Sequence, residues 1–383
     1  MISRTHKQFF RGVNTVLIFE SPAENLADAL LLVSRAVAQR DQVPAMMGVF
    51  LRAGEGELEL TATNGELAMR TAIPASVESP GSLLVPARTF ADLVRLVPAD
   101  AAIQFRGLEG QVGIRFLRSR FDLPTLRADE FPPLDFTPSV PSYIIRGDAL
   151  RELVHRTGYA VSQRDDGRLF TVGMQLLFQD GHLSAATTDN HRLAWAHVPM
   201  QGEGPQEILL PARSFGEIAR IMPDDEVELF PEDGRIIMRA PGLTTFLTSI
   251  RAQFPDTKRV VFESYKTTVH FDVEALLSAV ERTQLVTDQK NARLKLRVDE
   301  ALLRVSANSS EGGQGSEEIP AETAGEAVDL VFGPKYLIDA LRSLPAGQAV
   351  LEVMHAESPA LFRPDVPSRD QFAIVMPLRQ AES

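Results

Sequence analysis

Leu84-Val85-Pro86-Ala87-Arg88-Thr89-Phe90 and Leu209-Leu210-Pro211-Ala212-Arg213-Ser214-Phe215 match almost residue for residue, 125 positions apart. A weaker third copy is Leu330-Val331-Phe332-Gly333-Pro334-Lys335-Tyr336-Leu337. Each reads as a strand running into a short amphipathic helix that stops at a proline: Leu96-Val97-Pro98, Ile221-Met222-Pro223 and Ser343-Leu344-Pro345. Other landmarks keep the period. Gln39-Arg40-Asp41, Gln163-Arg164-Asp165 and Gln289-Lys290-Asn291 lie 124 and 126 apart, and Phe131-Pro132, Phe254-Pro255 and Met376-Pro377 lie 123 and 122 apart. A period this long is too great for a solenoid of 20–50-residue repeats, so the units are whole domains. The expected boundaries are 15–138, 139–263 and 264–383, after a disordered leader over 1–14.

Within each unit the same order recurs. A strand opens it (15–19, 142–146, 268–271), and a helix follows with Leu26, Leu30 and Val33 on one face in the first copy and Leu276, Leu277 and Val280 in the third. Alternating strands come next, such as 57–62 and 302–307, then the proline-ended helix and further strands. Strands grouped between only two helices predict an α+β class: three similar domains of antiparallel sheet with two helices each.

The composition is that of an ordinary globular chain of 383 residues. Hydrophobic residues make up 44% and charged residues 23%, close to the typical values of about 45–50% and about 25%. Even the longest apolar runs, such as Ala29 to Val33, are far short of the roughly 18 residues of a membrane helix. There is no cysteine, which excludes disulfides, thiolate metal sites and cysteine nucleophiles. The amino terminus lacks the apolar core of a signal peptide, so a cytoplasmic location is expected. Lys and Arg number 39 against 51 Asp and Glu, a net charge of −12 that by itself argues against a nucleic-acid partner.

The distribution of charge reverses that argument. On the second helix of the first unit, Phe90, Leu93, Val94 and Val97 share one side while Arg88 and Arg95, seven residues apart, share the other. Arg213 and Arg220 fill the same slots in the second unit, Lys335 and Arg342 in the third. The loop after the first helix contributes Arg40, Arg164 and Lys290. An acidic slot, Asp92, Glu217 and Asp339, sits four residues after the first basic position, where i,i+4 pairs would neutralise part of the stripe. If three units from each of two chains closed a ring with helices inward, about twelve helices would line a hole of roughly 28 Å. That is wide enough for a duplex.

Thr188-Asp189-Asn190-His191-Arg192-Leu193-Ala194, Phe254-Pro255-Asp256-Thr257-Lys258-Arg259-Val260 and Val375-Met376-Pro377-Leu378-Arg379 resemble three signatures of the bacterial DNA polymerase III beta subunit family, the sliding clamps. The resemblance runs from about residue 15 to 380. It implies a non-catalytic processivity factor without cofactor or metal: a head-to-tail homodimer, a ring of six domains around double-stranded DNA held without regard to sequence. The implied partners are the polymerase III catalytic subunit, the clamp loader and other proteins carrying clamp-binding peptides, with no membrane partner. The basic residues named above would face DNA. The implied peptide pocket, between the second and third domains, comprises Thr171, Thr188, His191, Arg192, Leu193, Pro255, Arg259, Val260, Ile374, Val375, Met376, Pro377, Leu378 and Arg379. This chain departs from the pattern at Asn190, where Gly is usual, at Thr171, where a larger apolar residue often stands, and at Gln380.

An enzyme reading has little to stand on. Asp189 with His191, and the pairs Asp165-Asp166 and Asp224-Asp225, could be acid–base or metal groups, but adjacent acidic residues in turns are usually solvated. None of the seven histidines has i,i+4 ligand spacing on a helix, and Gly312-Gly313-Gln314-Gly315 lacks the lysine of a phosphate loop. Trp195 is expected in the core of the second domain. The competing reading is an interaction scaffold that does not encircle DNA, its basic stripe a solvated helix surface.

Overall fold

The computed structural model describes residues 17–40, 43–108, 110–164, 167–288, 292–310, 312–366 and 370–379, with only the backbone at 258 and 259. The predicted leader, Asp165-Asp166, Lys290 and Gln380 lie outside the described residues. Six α-helices are present among them: α1 (Ala23–Val33), α2 (Ala87–Arg95), α3 (Gly147–Thr157), α4 (Ala212–Ile221), α5 (Val273–Thr283) and α6 (Pro334–Ser343). They fall two to a repeat, as the periodicity requires. No helix is long and apolar enough to cross a membrane.

The helices bury the faces read from the sequence. In α1, Leu26, Leu30 and Val33 are fully buried; in α2, Phe90 and Val94 are buried and Leu93 half-buried. In α5, Leu276 and Val280 are buried, while Leu277 is only half-buried at the edge of the stripe. The opening strands run later than expected in the first copy: Ile18–Pro22, against Tyr143–Arg146 and Thr267–Asp272. The first is set by its partner, since Ile18 pairs with Arg106 and Pro22 with Ala102.

The chain forms two compact units, Met1–Ser142 with Ile221–Thr248, and Tyr143–Arg220 with Ser249–Ser383, so the middle repeat is divided between them. Within the first unit a five-stranded sheet runs in the order Ser76–Ser79, Ile18–Pro22, Ala102–Leu108, Gln111–Phe116, Ser119–Pro124. A second sheet carries Glu226–Glu232, Arg235–Ala240, Leu243–Thr248, Leu67–Pro74, Glu57–Thr63, Gly48–Gly54 and Gly81–Pro86. The second unit holds one twelve-stranded sheet, and every described pairing is antiparallel.

The middle repeat is divided because of two seams that cross repeat boundaries. Leu243–Thr248, the last strand of the second repeat, pairs with Leu67–Pro74 of the first, with Leu247 opposite Leu67 and Leu243 opposite Thr71. Gln371–Val375, the last strand of the third, pairs with Arg192–Pro199 of the second, with Val375 opposite Arg192 and Ile374 opposite Leu193. Even the bond that ends each seam repeats: Thr248 N donates to Glu66 O at 2.9 Å, and Met376 N donates to His191 O at 2.8 Å.

Close packing is also conserved between copies. Gly48 and Gly173, 125 positions apart, begin equivalent strands. A Cβ at Gly48 would lie 2.7 Å from Leu84 Cδ1, and one at Gly173 would lie 2.6 Å from Leu209 Cδ1. Both glycines have ordinary extended backbone, φ −104° and −95°. The requirement is therefore space. Gly173→Val should lower unfolding free energy by about 1–3 kcal/mol through overpacking, measured by urea denaturation. Gly54→Val, where nothing lies within 4 Å, should leave it within about 0.5 kcal/mol.

Candidate functional site

The basic slots come first. Arg88, Arg95, Arg213, Arg220, Lys335 and Arg342 are exposed, as helices that bury the opposite face must leave them, and so are Arg40 and Arg164 in their loops; Lys290 lies outside the described residues. The acidic slot pairs differently from expectation. Only α6 shows the i,i+4 pair, Lys335 Nζ to Asp339 Oδ2 at 2.9 Å. In α2 and α4 the acid instead reaches forward to the second basic residue, Asp92 to Arg95 at 3.5 Å and Glu217 to Arg220. The acid then stands N-terminal to the base in the last turn, the order the helix dipole favours. Arg342 binds Glu281 of α5 at 2.7 Å, and Arg213 donates to the Gln163 carbonyl at 3.0 Å. Exposed pairs of this kind contribute about 0–1 kcal/mol, little enough for a phosphate to replace the carboxylate.

The second site is built on the turn between two strands, His182–Thr188 and Arg192–Pro199. Thr188 Oγ1 donates to Arg192 O at 2.7 Å and accepts from Asn190 N at 3.1 Å, while Asp189 Oδ1 accepts from the backbone N–H groups of His191 and Arg192 at 3.0 and 3.1 Å. Asn190 has φ +69°. The first repeat has the same turn: Thr63 Oγ1 donates to Leu67 O, Asn64 Oδ1 accepts from the backbone of Glu66 and Leu67, and Gly65 has φ +89°. Asparagine replaces glycine at position 190 because it tolerates left-handed backbone.

Arg192 corrects the sequence expectation. Its side chain is 4% exposed, held by Asp189 Oδ2 at 3.0 Å and Asp339 Oδ2 at 2.6 Å. Its guanidinium lies 4.8 Å from the Tyr336 ring centroid and 5.5 Å from that of Tyr159. It is a tie between the turn and α6, with no surface left for a ligand. Burial pushes the Tyr159 phenol up to about 12, against the pull of Ser343 and the Arg192 charge, so a neutral ring lies under the cation.

Three further residues expected in the wall are buried. Val375 is fully buried in the core of the third repeat, because strand alternation sends it to the face opposite Ile374. Thr171 is fully buried, its hydroxyl donating to Arg168 O at 2.8 Å. Thr188 is buried and occupied within its turn.

The remaining residues do converge. Leu193 and Ile374, opposite one another across the seam, form a small apolar cluster with Leu361, against which Val260, Val261, Tyr265, Trp195 and Phe372 pack. Met376, Pro377 and Leu378 are half-buried beside this seam, and His191, Pro255 and Arg379 are exposed. The His191 ring stacks 6.1 Å from Tyr336. Leu378 N donates to Val331 O at 2.7 Å, fixing the tail. The Arg259 side chain lies outside the described residues. Trp195 is half-buried: it packs on the second repeat's core cluster of Ala186, Leu209 and Phe254, as expected, and also on the seam, stacked on Phe372 at 5.2 Å. Leu361, Phe372, Asp339 and Tyr336 were missed by sequence reasoning. Strand alternation in 371–375 was the available signal for Phe372.

A threefold α+β repeat with paired basic slots and an apolar cluster on the seam between repeats defines a clamp-type protein. Family models described as DNA polymerase III beta subunit, N-terminal, central and C-terminal domains match residues 18–135, 144–256 and 258–379. The beta sliding clamp of Pseudomonas putida is 30% identical over 367 residues, covering 94% of this chain and 99% of that one. The Pseudomonas aeruginosa sliding clamp (DNA polymerase III subunit beta) bound to griselimycin superposes with TM-score 0.89 at 29% identity, over 95% of this chain and 100% of that one. A Bacillus subtilis sliding clamp shares the fold, with TM-score 0.91, 24% identity and the same coverage. The chain belongs to the DNA polymerase III beta subunit family.

Arg192→Ala should lower unfolding free energy by about 3–5 kcal/mol, because two carboxylates lose a buried partner. Calorimetry would register this as a clear fall in Tm; an unchanged Tm would make the tie ornamental.

Proposed function

We propose that the chain is a sliding clamp, a non-catalytic ring that encircles duplex DNA and tethers the replicative polymerase and other DNA-processing proteins. The observation that carries this reading is the repetition of exposed cations at equivalent helix positions in an otherwise acidic chain. Arg40, Arg88, Arg95, Arg164, Arg213, Arg220, Lys290, Lys335 and Arg342 would face the DNA. Phosphate contacts made by such side chains carry no sequence information, and weakly paired cations exchange partners readily. Retention then depends on topology rather than grip. A nucleoid-associated, cytoplasmic location accords with this activity.

The seams support self-association. Each internal seam joins the last strand of one repeat to the fourth strand of the repeat before it. The last strand of the first repeat, Ser119–Pro124, pairs on one side only, and so does the 314–320 part of Gln314–Gly325 in the third. Joining these two edges between chains continues the rule and closes a head-to-tail ring. Exposed apolar side chains stand at both ends: Leu117 and Phe121 beside the first edge, Leu285 near the second. The domains on this reading are 15–138, 139–263 and 264–383, in accord with the ranges of the family matches.

The groove over Leu193, Ile374 and Val260, with His191, Pro255, Arg259, Met376, Pro377, Leu378 and Arg379 around it, would take short linear peptides of partner proteins. Apolar anchors would enter the cluster, and Met376 would adapt to different side chains.

After loading, the protein should remain on nicked circular DNA and be lost when that DNA is cut to a linear form, measured by gel filtration of labelled protein with its DNA. Equal retention on both would favour a scaffold that does not encircle DNA. Deleting Met376 to Arg379 should abolish polymerase stimulation while the solution mass stays that of the parent. Stimulation surviving the deletion would remove the groove from the reading.

A further inference from the structure

We infer that the first seam is a closed copy of the peptide groove, and that Phe136 is the specificity-determining residue that closes it. The inference rests on the reading of the second seam as the peptide groove. Both seams have the same hydrogen-bonded frame: the same turn, the same antiparallel register and the same terminal bond to Glu66 O or His191 O. In this register Ala68 takes the place of Leu193, Arg70 that of Trp195 and Phe246 that of Ile374. The frame for a second peptide site is therefore present.

What differs is the linker laid over it. By the Phe131-Pro132 and Phe254-Pro255 landmarks, Phe136 corresponds to Arg259. The second linker has no proline between Asp256 and Tyr265 and coils into a 3-10 turn at Thr257–Val260. The first carries Pro132, Pro133, Pro138 and Pro141, which disfavour helical backbone at the preceding residues. It forms neither helix nor strand from 132 to 139. That course brings Phe136 onto the seam, where it is only 4% exposed.

The plug is held by specific contacts. The Phe136 and Phe246 rings lie 5.4 Å apart, with the Arg70 guanidinium 4.5 Å from the Phe136 centroid and that of Arg235 5.6 Å from Phe246. Arg235 Nη1 donates to Asp135 O at 2.7 Å, and Ser139 donates to Glu232 Oε1 through both its N–H and its hydroxyl. Burial by itself would raise the Glu232 carboxyl; the bonds from Ser139 and Arg235 outweigh it and hold the group below its ordinary value. A segment of this chain thus occupies the place that a partner peptide takes at the second seam. The first seam is silenced by being filled, and one groove per protomer remains.

The test uses the full-length protein and a fluorescein-labelled peptide of residues 131–139, the sequence that fills the seam. Titration calorimetry gives the stoichiometry. Phe136→Ala should bind one peptide per protomer more than the parent, and adding Phe246→Ala should remove that increment. An alanine variant that is folded by circular dichroism yet binds no more peptide than the parent overturns the inference, as does an increment that survives Phe246→Ala. Should the alanine variant fail to fold, Phe136→Val preserves part of the packing and must show the same increment with weaker affinity. The increment is counted against the parent, so it is independent of the parent's own binding. Loss of that parent binding on deletion of Met376 to Arg379 reports on the second seam alone.

Discussion

An antiparallel sheet ends in strands whose outer N–H and C=O groups have no partner, and such edges must be paired, covered or blunted. This chain meets the constraint by giving the last strand of each later repeat to the fourth strand of the repeat before. Much else depends on that exchange. The seam between Arg192–Pro199 and Gln371–Val375 places Leu193 against Ile374, and its terminal bond from Met376 N to His191 O leads the tail past the turn at 188–192. The groove is thus a by-product of sheet closure, its two walls drawn from strands about 180 residues apart in sequence. Three repeats can satisfy only two such seams within one chain. Among the described residues the edges at 119–124 and 314–320 remain open, and the ring proposed above would pair them in a second copy.

Much of this was legible in the sequence because the duplication had kept its spacing. The helices, their apolar faces and the basic slots all follow from side-chain periodicity, which is local. The seams were not legible, since pairing between repeats depends on which edges remain free once each repeat has folded. Register was equally hidden. Val375 and Ile374 are adjacent apolar residues of one motif, yet strand alternation sends the first into the core and leaves the second at the groove. The turn at 188–192 could have been found, because Thr63-Asn64-Gly65 lies 125 positions before Thr188-Asp189-Asn190.

The arginines show how far environment, rather than residue type, decides a role. Arg95 and Arg192 each meet a carboxylate three residues away, with side chains 76% and 4% exposed. In water the first pair is worth little and breaks readily, which suits a side chain meant to exchange one anion for another. The second is desolvated, doubly paired and covered by two tyrosine rings, so removing one partner would strand the rest. Sequence motif alone groups Arg192 with ligand-binding residues; burial assigns it to the frame.

Duplication gives a protein identical frames at several places, and identical frames invite identical ligands. Divergence then has to act on what covers the frame, because altering the hydrogen-bonded seam would sacrifice the fold. The two linkers illustrate how small the change can be. Prolines keep the first from coiling, and an aromatic ring reaches the seam, while their absence lets the second coil and lay Val260 beside Leu193 and Ile374. The glycine requirement at Gly48 and Gly173 is the counter-example, kept in both copies because it belongs to the frame. Frame residues are conserved between repeats by packing, and covering residues are free to differ. Function in this chain is therefore to be sought where equivalent positions of the repeats disagree, except for the basic slots, where the proposed ring around a rotationally repetitive duplex would need them to agree.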